Sequence, residues 1–146
     1  MTESVYLGNP NLKKANVSQE WTEKEIKEYG RCMKDPIYFI KTYIRIVSLD
    51  EGLVPFEMYD FQKEMVGTFH SNRFTICKLP RQSGKSTTII AYLLHYVLFN
   101  PSVNVAILAN KAATARDLLG RLQLAYEHLP KWLQQGVMSW NKGSLE

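Results

Sequence analysis

The residues best suited to chemistry lie together in one short segment, Pro-Arg-Gln-Ser-Gly-Lys-Ser-Thr at 80–87. Small residues at Ser83 and Gly84 would let backbone N–H groups turn toward an anion, and Lys85 would bring a charge to the β- and γ-phosphates of a nucleotide. The hydroxyl of Ser86 stands where such loops provide a ligand for Mg²⁺. The segment predicts a site for ATP and Mg²⁺. Its predicted nucleotide contacts are Pro80, Arg81, Gln82, Ser83, Gly84, Lys85, Ser86 and Thr87.

Arg81 occupies a loop position where most phosphate-binding loops carry a small or neutral residue. Its guanidinium could stabilise the charge that develops during phosphoryl transfer. We therefore predict catalytic roles for Lys85 and Arg81. The alternative for Arg81 is a solvated side chain or a structural ion pair with no part in catalysis.

Gln62 lies upstream of this loop, in the run Tyr59-Asp60-Phe61-Gln62. A planar amide can donate and accept hydrogen bonds at once, which matches the edge of an adenine base. We therefore predict that Gln62 recognises adenine. Taken without the nearby loop, a glutamine before a helix is an ordinary surface residue.

The loop departs from the usual pattern because Leu79 stands where the first glycine is expected. Since Gly-Lys-Ser alone occurs by chance, the neighbouring elements must support the interpretation. Residues 73–79 predict a short strand that ends at the loop. From Lys85 to about Phe99, apolar residues recur on a wide helical face, which indicates a helix buried against a sheet.

The elements that follow extend this order. Residues 103–109 are nearly all apolar, as in a strand covered on both faces, and a helix is predicted from about 112 to 128. Strand, loop, helix, strand and helix in succession predict an α/β fold with a parallel sheet. Because two strands cannot form a covered sheet, the sequence is expected to continue elsewhere.

The upstream half is predicted to be helical. Thr22 and Glu25 have capping-box spacing for a helix that runs to about Met33, and Asp35-Pro36 has the residues of a second helix start. A third helix is predicted from Tyr59 to about His70. The predicted organisation is an extended arm at 1–20 followed by a single domain at 21–146. Within this domain we predict a helical segment at 21–70, which contains a loop at 48–55, then a βαβα core at 73–129 and an incomplete end at 130–146.

Composition gives broad limits. The chain has 146 residues, a net charge of +4 and two cysteines, Cys32 and Cys77. Such a charge permits nucleic-acid binding without arguing for it, and two cysteines are too few for a disulfide framework, so a reducing cytoplasm is expected. No stretch approaches the roughly 20 apolar residues of a membrane span, and no secretory signal is evident.

The loop and its flanking segments resemble one family, the large terminase subunits of tailed bacteriophages. The family's loop commonly lacks its first glycine and carries an arginine, as Leu79-Pro80-Arg81-Gln82-Ser83-Gly84-Lys85-Ser86-Thr87 does, and Tyr59-x-x-Gln62 resembles its adenine-recognising Q motif. Further segments resembling the myophage-type members are 6–13, 35–39 and 140–144. The resemblance covers nearly the whole chain.

This resemblance implies the front part of a RecA-like ATPase domain that drives double-stranded DNA into a procapsid with ATP and Mg²⁺. Lys85 and Ser86 would hold phosphates and Mg²⁺, Arg81 would act in hydrolysis, and Gln62 would read adenine. Lys111 would contact DNA, or would be a surface charge at a helix start. The implied partners are double-stranded DNA, the portal protein, the small terminase subunit and further large-subunit copies in a ring. The implied location is the host cytoplasm, on the procapsid and outside the mature virion.

The resemblance also predicts what the chain lacks. The family uses an apolar strand that ends in Asp-Glu, the Walker B strand, and none is found before Glu146; Asp50-Glu51 lies upstream in a loop. The nuclease domain is not found either. The chain alone is therefore expected to bind nucleotide weakly or moderately and to hydrolyse it negligibly. Two alternatives remain: a helicase-type ATPase fragment, and a split-gene remnant that acts as a non-catalytic interaction module.

Overall fold

The computed structural model describes residues 4–48 and 50–146. Over these residues the chain is a mixed α and β structure with five helices and a small two-stranded antiparallel sheet. None of the described helices is both long enough and apolar enough to cross a membrane.

The first two helices begin at the capping residues that the sequence predicts. In α1 (Glu23–Lys34), the Thr22 hydroxyl accepts from the Glu25 N–H at 3.2 Å, and the Glu25 carboxylate accepts from the Thr22 N–H at 2.8 Å. In α2 (Pro36–Tyr43), the Asp35 carboxylate accepts from the Tyr38 N–H at 2.9 Å. Both helix starts are therefore confirmed, since capping bonds depend only on residues three apart.

A hairpin follows α2 where the sequence predicted a loop. Strand β1 (Arg45–Ser48) pairs antiparallel with β2 (Gly52–Pro55), and Ile46 lies opposite Val54. The prediction of a loop over 48–55 is therefore wrong for 48 and for 52–55, which lie in the two strands. β-Branched residues in Arg-Ile-Val-Ser favour a strand, and Gly52 takes the left-handed φ of +73° that the tight connection needs.

The remaining helices are α3 (Asp60–Ser71), α4 (Lys85–Phe99) and α5 (Ala112–Glu127). Their predicted positions are confirmed to within one residue. Helix α4 packs against α2, α3 and α5, and so it forms the centre of the core. Its buried apolar side chains are Ile90, Ala91, Leu94, Leu98 and Phe99.

The two segments predicted as strands, 73–79 and 103–109, form no strand: residues 73 and 74 are bends, and the others have no regular secondary structure. No main-chain hydrogen bond joins them to each other or to another segment within the described residues. The only sheet that the described residues form is the β1–β2 hairpin, and no parallel sheet is present among them.

The N-terminal segment is anchored to the end of the chain. Leu12 is buried in the core, and the buried side chain of Gln134 accepts from the Lys13 N–H at 3.0 Å and donates to the Asn11 carbonyl at 2.9 Å. The Val137 N–H donates to the Lys13 carbonyl at 2.8 Å. These contacts fix the segment against the region that follows α5.

Candidate nucleotide-binding site

The loop at 80–84 adopts a shape suited to binding an anion. Gln82 and Gly84 have left-handed backbone conformations, with φ of 61° and 72°. Alternation of left-handed and ordinary residues turns successive N–H groups toward one side, which makes an anion-binding concavity. The small residue Ser83 was expected to form the tight turn, but Gln82 is the residue that takes the unusual backbone conformation beside Gly84.

Helix α4 begins directly after this loop and leaves its first N–H groups available. Gly84 is the N-cap, and no described side chain caps the helix. The first backbone bond of the helix runs from the Thr88 N–H to the Gly84 carbonyl at 3.0 Å, so the N–H groups of residues 85–87 precede the regular ladder. Free donors and the positive end of the helix dipole favour a phosphate at this place.

Lys85 folds back over the loop. Its ammonium donates to the Pro80 carbonyl at 3.0 Å, and the Ser83 hydroxyl donates to the same carbonyl at 3.0 Å. The Pro80 carbonyl therefore holds the lysine at the mouth of the loop. A neutral carbonyl is a weak partner for a cation, and a phosphate could take its place.

The neighbourhood of the loop has an excess of positive charge. Residues 65–116 contain six Lys or Arg and no Asp or Glu. Among the described residues, neither Lys85 nor Arg81 forms an ion pair with a carboxylate. Arg81 is exposed, and it forms no structural ion pair with any residue that the structure describes. An anionic ligand could pair with Lys85 and Arg81, while Glu57 lies on the other side of the adjoining cleft.

Gln62 is not a surface residue. It is 2% exposed, its carbonyl oxygen accepts from the Tyr59 N–H at 2.9 Å, and its amide donates to the Ser83 carbonyl at 3.2 Å. A Cβ atom added to Gly84 would lie 2.5 Å from the Gln62 amide nitrogen. Gln62 thus connects the start of α3 to the phosphate loop, a role that the sequence analysis did not foresee.

A cleft of about 540 Å³ lies between Gln62 and the loop. Apolar side chains, including Ile46, Phe56 and Leu79, form one part of its lining, and residues 82–84 form another. Tyr59 and Phe61 also line the cleft, with their rings stacked at a centroid distance of 5.9 Å and an interplanar angle of 10°. Tyr59 is 70% exposed, so one aromatic face is open to a flat ligand.

The sequence analysis did not foresee that Tyr59 and Phe61 line the cleft; Tyr59 entered it only through the Q-motif resemblance. They belong to the same Tyr59-Asp60-Phe61-Gln62 run that drew attention to Gln62. The sequence analysis treated this run as the start of a helix and gave its aromatic rings no contact with a ligand. Their exposure, which only the structure shows, distinguishes them from core residues.

The residues available for a metal are few. The Ser86 hydroxyl lies half-buried at the start of α4, and the described residues contain no group of three His, Cys, Asp or Glu side chains that could hold an ion. Asp50 and Glu51 lie in the exposed turn of the hairpin. Ser86 therefore fits an ion that takes its other ligands from a nucleotide and water, and it does not fit an ion held by protein carboxylates.

Lys111 lies outside the cleft, as the exposed N-cap residue of α5.

No protein-family model matches the sequence.

Proposed function

We propose that this chain is the ATP-binding part of a large terminase subunit, the ATPase motor that moves double-stranded DNA into a procapsid. The observation that carries the nucleotide part of the proposal is the loop at 80–84, which leads into the start of α4, where Lys85 pairs with no carboxylate of the described residues. The terminase identity rests on the loop sequence and the Q-motif resemblance.

The loop residues divide the work of holding ATP. The N–H groups of residues 85–87 receive the β-phosphate, and Lys85 exchanges the Pro80 carbonyl for the β- and γ-phosphates. The Ser86 hydroxyl supplies the protein ligand to Mg²⁺, and the phosphates supply further ligands. Pro80, Gln82 and Thr87 shape the loop around the nucleotide.

The cleft beside the loop receives the base. Tyr59 offers an open ring face for stacking, and base–aromatic stacking contributes about 1–3 kcal/mol. Gln62 uses one amide hydrogen to hold Ser83, and its second amide hydrogen serves the adenine ring. Adenine recognition and the shape of the phosphate loop therefore depend on the same side chain.

In this proposal, 73–79 and 103–109 belong to a parallel RecA-like sheet with α4 as the crossover helix. Arg81 is exposed at the mouth of the loop, where it can stabilise charge on the γ-phosphate. Lys111 follows the second segment and serves DNA. The partners are double-stranded DNA, the portal protein, the small terminase subunit and other copies of the large subunit, in the host cytoplasm.

Calorimetric titration with a non-hydrolysable Mg²⁺–ATP analogue tests the nucleotide site. We expect saturable binding that Lys85→Ala weakens at least about tenfold, a loss of roughly 1.4 kcal/mol. Lys24→Ala is the matched control, since Lys24 is an exposed lysine of α1. Equal affinity in the original chain and the Lys85→Ala variant would refute the site. Hydrolysis by the chain alone should be negligible, because the Asp-Glu pair that would complete the Mg²⁺ shell and orient water is not found in the sequence after the loop.

A further inference from the structure

Glu57 brings a negative charge to the cleft beside the phosphate loop. Among the described residues that line this cleft, it is the one Asp, Glu, Lys or Arg. Glu57 is exposed, and its carboxylate forms no ion pair or hydrogen bond with another described residue. Because a carboxylate accepts hydrogen bonds and cannot donate them, its partner in the cleft must be a donor on the ligand.

The main chain on both sides of Glu57 is held in place. Phe56 is buried, and its N–H donates to the Ile44 carbonyl at 3.0 Å. On the other side, the Tyr59 N–H donates to the Gln62 side chain at 2.9 Å. Glu57 therefore lies on a fixed stretch between the hairpin and α3, as a residue that selects among ligands requires.

Gln62 leaves part of the polar edge of adenine without a partner. A glutamine that reads adenine by itself uses its oxygen for the amino group and its amide nitrogen for a ring nitrogen. In this chain the Gln62 oxygen accepts from the Tyr59 N–H, and one amide hydrogen is bound to the Ser83 carbonyl. The second amide hydrogen remains for a ring nitrogen, while the 6-amino group is better served by an acceptor that has no partner in the protein.

Charge favours the base, and not the phosphates, as the partner of Glu57. A carboxylate repels phosphate groups and attracts the partly positive hydrogens of an amino group. Residues 82–84 of the phosphate loop form one part of the cleft lining, whereas Glu57 belongs to the run 56–62, which also contributes Tyr59 and Gln62. The acceptor that the 6-amino group lacks and the carboxylate that lacks a donor therefore occur in the same cleft.

We propose that Glu57 is a specificity-determining residue of the nucleotide site, and that its carboxylate accepts a hydrogen bond from the 6-amino group of adenine. Gln62 and Glu57 then divide the base between them, with the amide bound to a ring nitrogen and the carboxylate to the amino group. Purines that lack this amino group leave the carboxylate without a donor and bind more weakly. The inference rests on the proposed function, since it requires a nucleotide in the cleft.

Calorimetric titration with two nucleotides tests this contact. Mg²⁺–ATP is compared with the Mg²⁺ complex of purine riboside triphosphate, which lacks only the 6-amino group, in the original chain and in Glu57→Ala. Both nucleotides carry the same phosphates, so the general effect of removing a negative charge cancels in the ratio of their affinities. Glu64→Ala is the matched control, since Glu64 is an exposed glutamate of α3 that does not line the cleft. Thermal unfolding establishes that each variant is folded.

We expect the original chain and Glu64→Ala to bind ATP about tenfold more tightly than the analogue, and Glu57→Ala to bind the two within about twofold of each other. Equal affinities in the original chain, or a preference for ATP that survives in Glu57→Ala, would refute the contact and leave the nucleotide site intact. If Glu57→Ala instead removed a preference for ATP over 2′-deoxy-ATP, the carboxylate would bind the ribose and the proposal would be overturned. Failure of the original chain to bind either nucleotide would refute the proposed function, and this inference with it.

Discussion

Gln62→Met removes both hydrogen bonds of a buried side chain and keeps its length. The lost bonds are the 2.9 Å contact with the Tyr59 N–H and the 3.2 Å contact with the Ser83 carbonyl. A neutral hydrogen bond contributes about 1 kcal/mol net, and a buried partner left unpaired costs about 1–3 kcal/mol. Water can reach the exposed Tyr59 more easily than the half-buried Ser83. We therefore expect unfolding to become about 2 kcal/mol easier, which lowers Tm by about 6 °C.

Thermal unfolding followed by circular dichroism measures this effect. Gln123→Met is the matched control, because the Gln123 amide also donates one bond, to the Asn141 carbonyl at 2.9 Å, but at an exposed site. Its loss should be under about 1 kcal/mol. An unchanged Tm for Gln62→Met would refute the conclusion that Gln62 holds α3 to the loop.

The same variant separates two roles in nucleotide binding. The affinities for ATP and GTP should both fall because the loop loses the contact at Ser83. ATP should lose more, since the adenine contact is also removed. Equal losses would assign Gln62 to loop positioning alone, and a loss confined to ATP would mean that the Ser83 contact does not shape the loop.

Three further predictions concern the site and the core. Gly84→Ala should destabilise the fold by about 2 kcal/mol in urea titrations, because alanine would have to adopt a left-handed φ of 72° and its Cβ would lie 2.5 Å from the Gln62 amide nitrogen. The control Gly67→Ala should stabilise the fold slightly, because Gly67 lies in α3 with open space around it. Tyr59→Ala should weaken ATP-analogue binding about tenfold in calorimetry and leave Tm nearly unchanged, and unaltered affinity would exclude stacking on Tyr59. Burial lowers the pKa of His95, so the unfolded chain takes up the proton at a higher pH than the folded chain does. The free energy of unfolding should therefore fall as pH drops below about 6.5, by at most about 1.4 kcal/mol per pH unit. His95→Phe should remove this pH dependence from urea titrations at pH 7.5 and 5.5, and an unchanged pH dependence would show that His95 does not cause it.

Local signals in the sequence predicted local structure well. The capping bonds of Thr22 and Asp35 join residues three apart, and the helices they start were predicted at the right places. Helix α4 was likewise predictable from its apolar face and its bounding Gly84 and Asn100. Each of these features is specified by neighbours within one or two turns.

Long-range contacts escaped prediction because their partners lie far apart in sequence. Gln134 fixes the N-terminal segment through bonds to Asn11 and Lys13, more than 120 positions away. The alternation in 73–79 predicts an extended segment, but pairing depends on a partner that local sequence does not specify. The contact of Gln62 with Ser83 spans 21 positions and is invisible to spacing rules.

The loop keeps an anion-binding shape without its usual first glycine because side-chain contacts fix its backbone. Leu79, which occupies the glycine position, is half-buried and lines the base cleft, so its side chain has a packing role there. The left-handed conformation shifts to Gln82, where a non-glycine residue costs about 1–2 kcal/mol. The Ser83 hydroxyl bond to Pro80 and the Gln62 bond to Ser83 hold the turn on both sides of that residue. The cleft and the loop at 80–84 are therefore one unit, and under the proposed function a change to either should alter the binding of both base and phosphates.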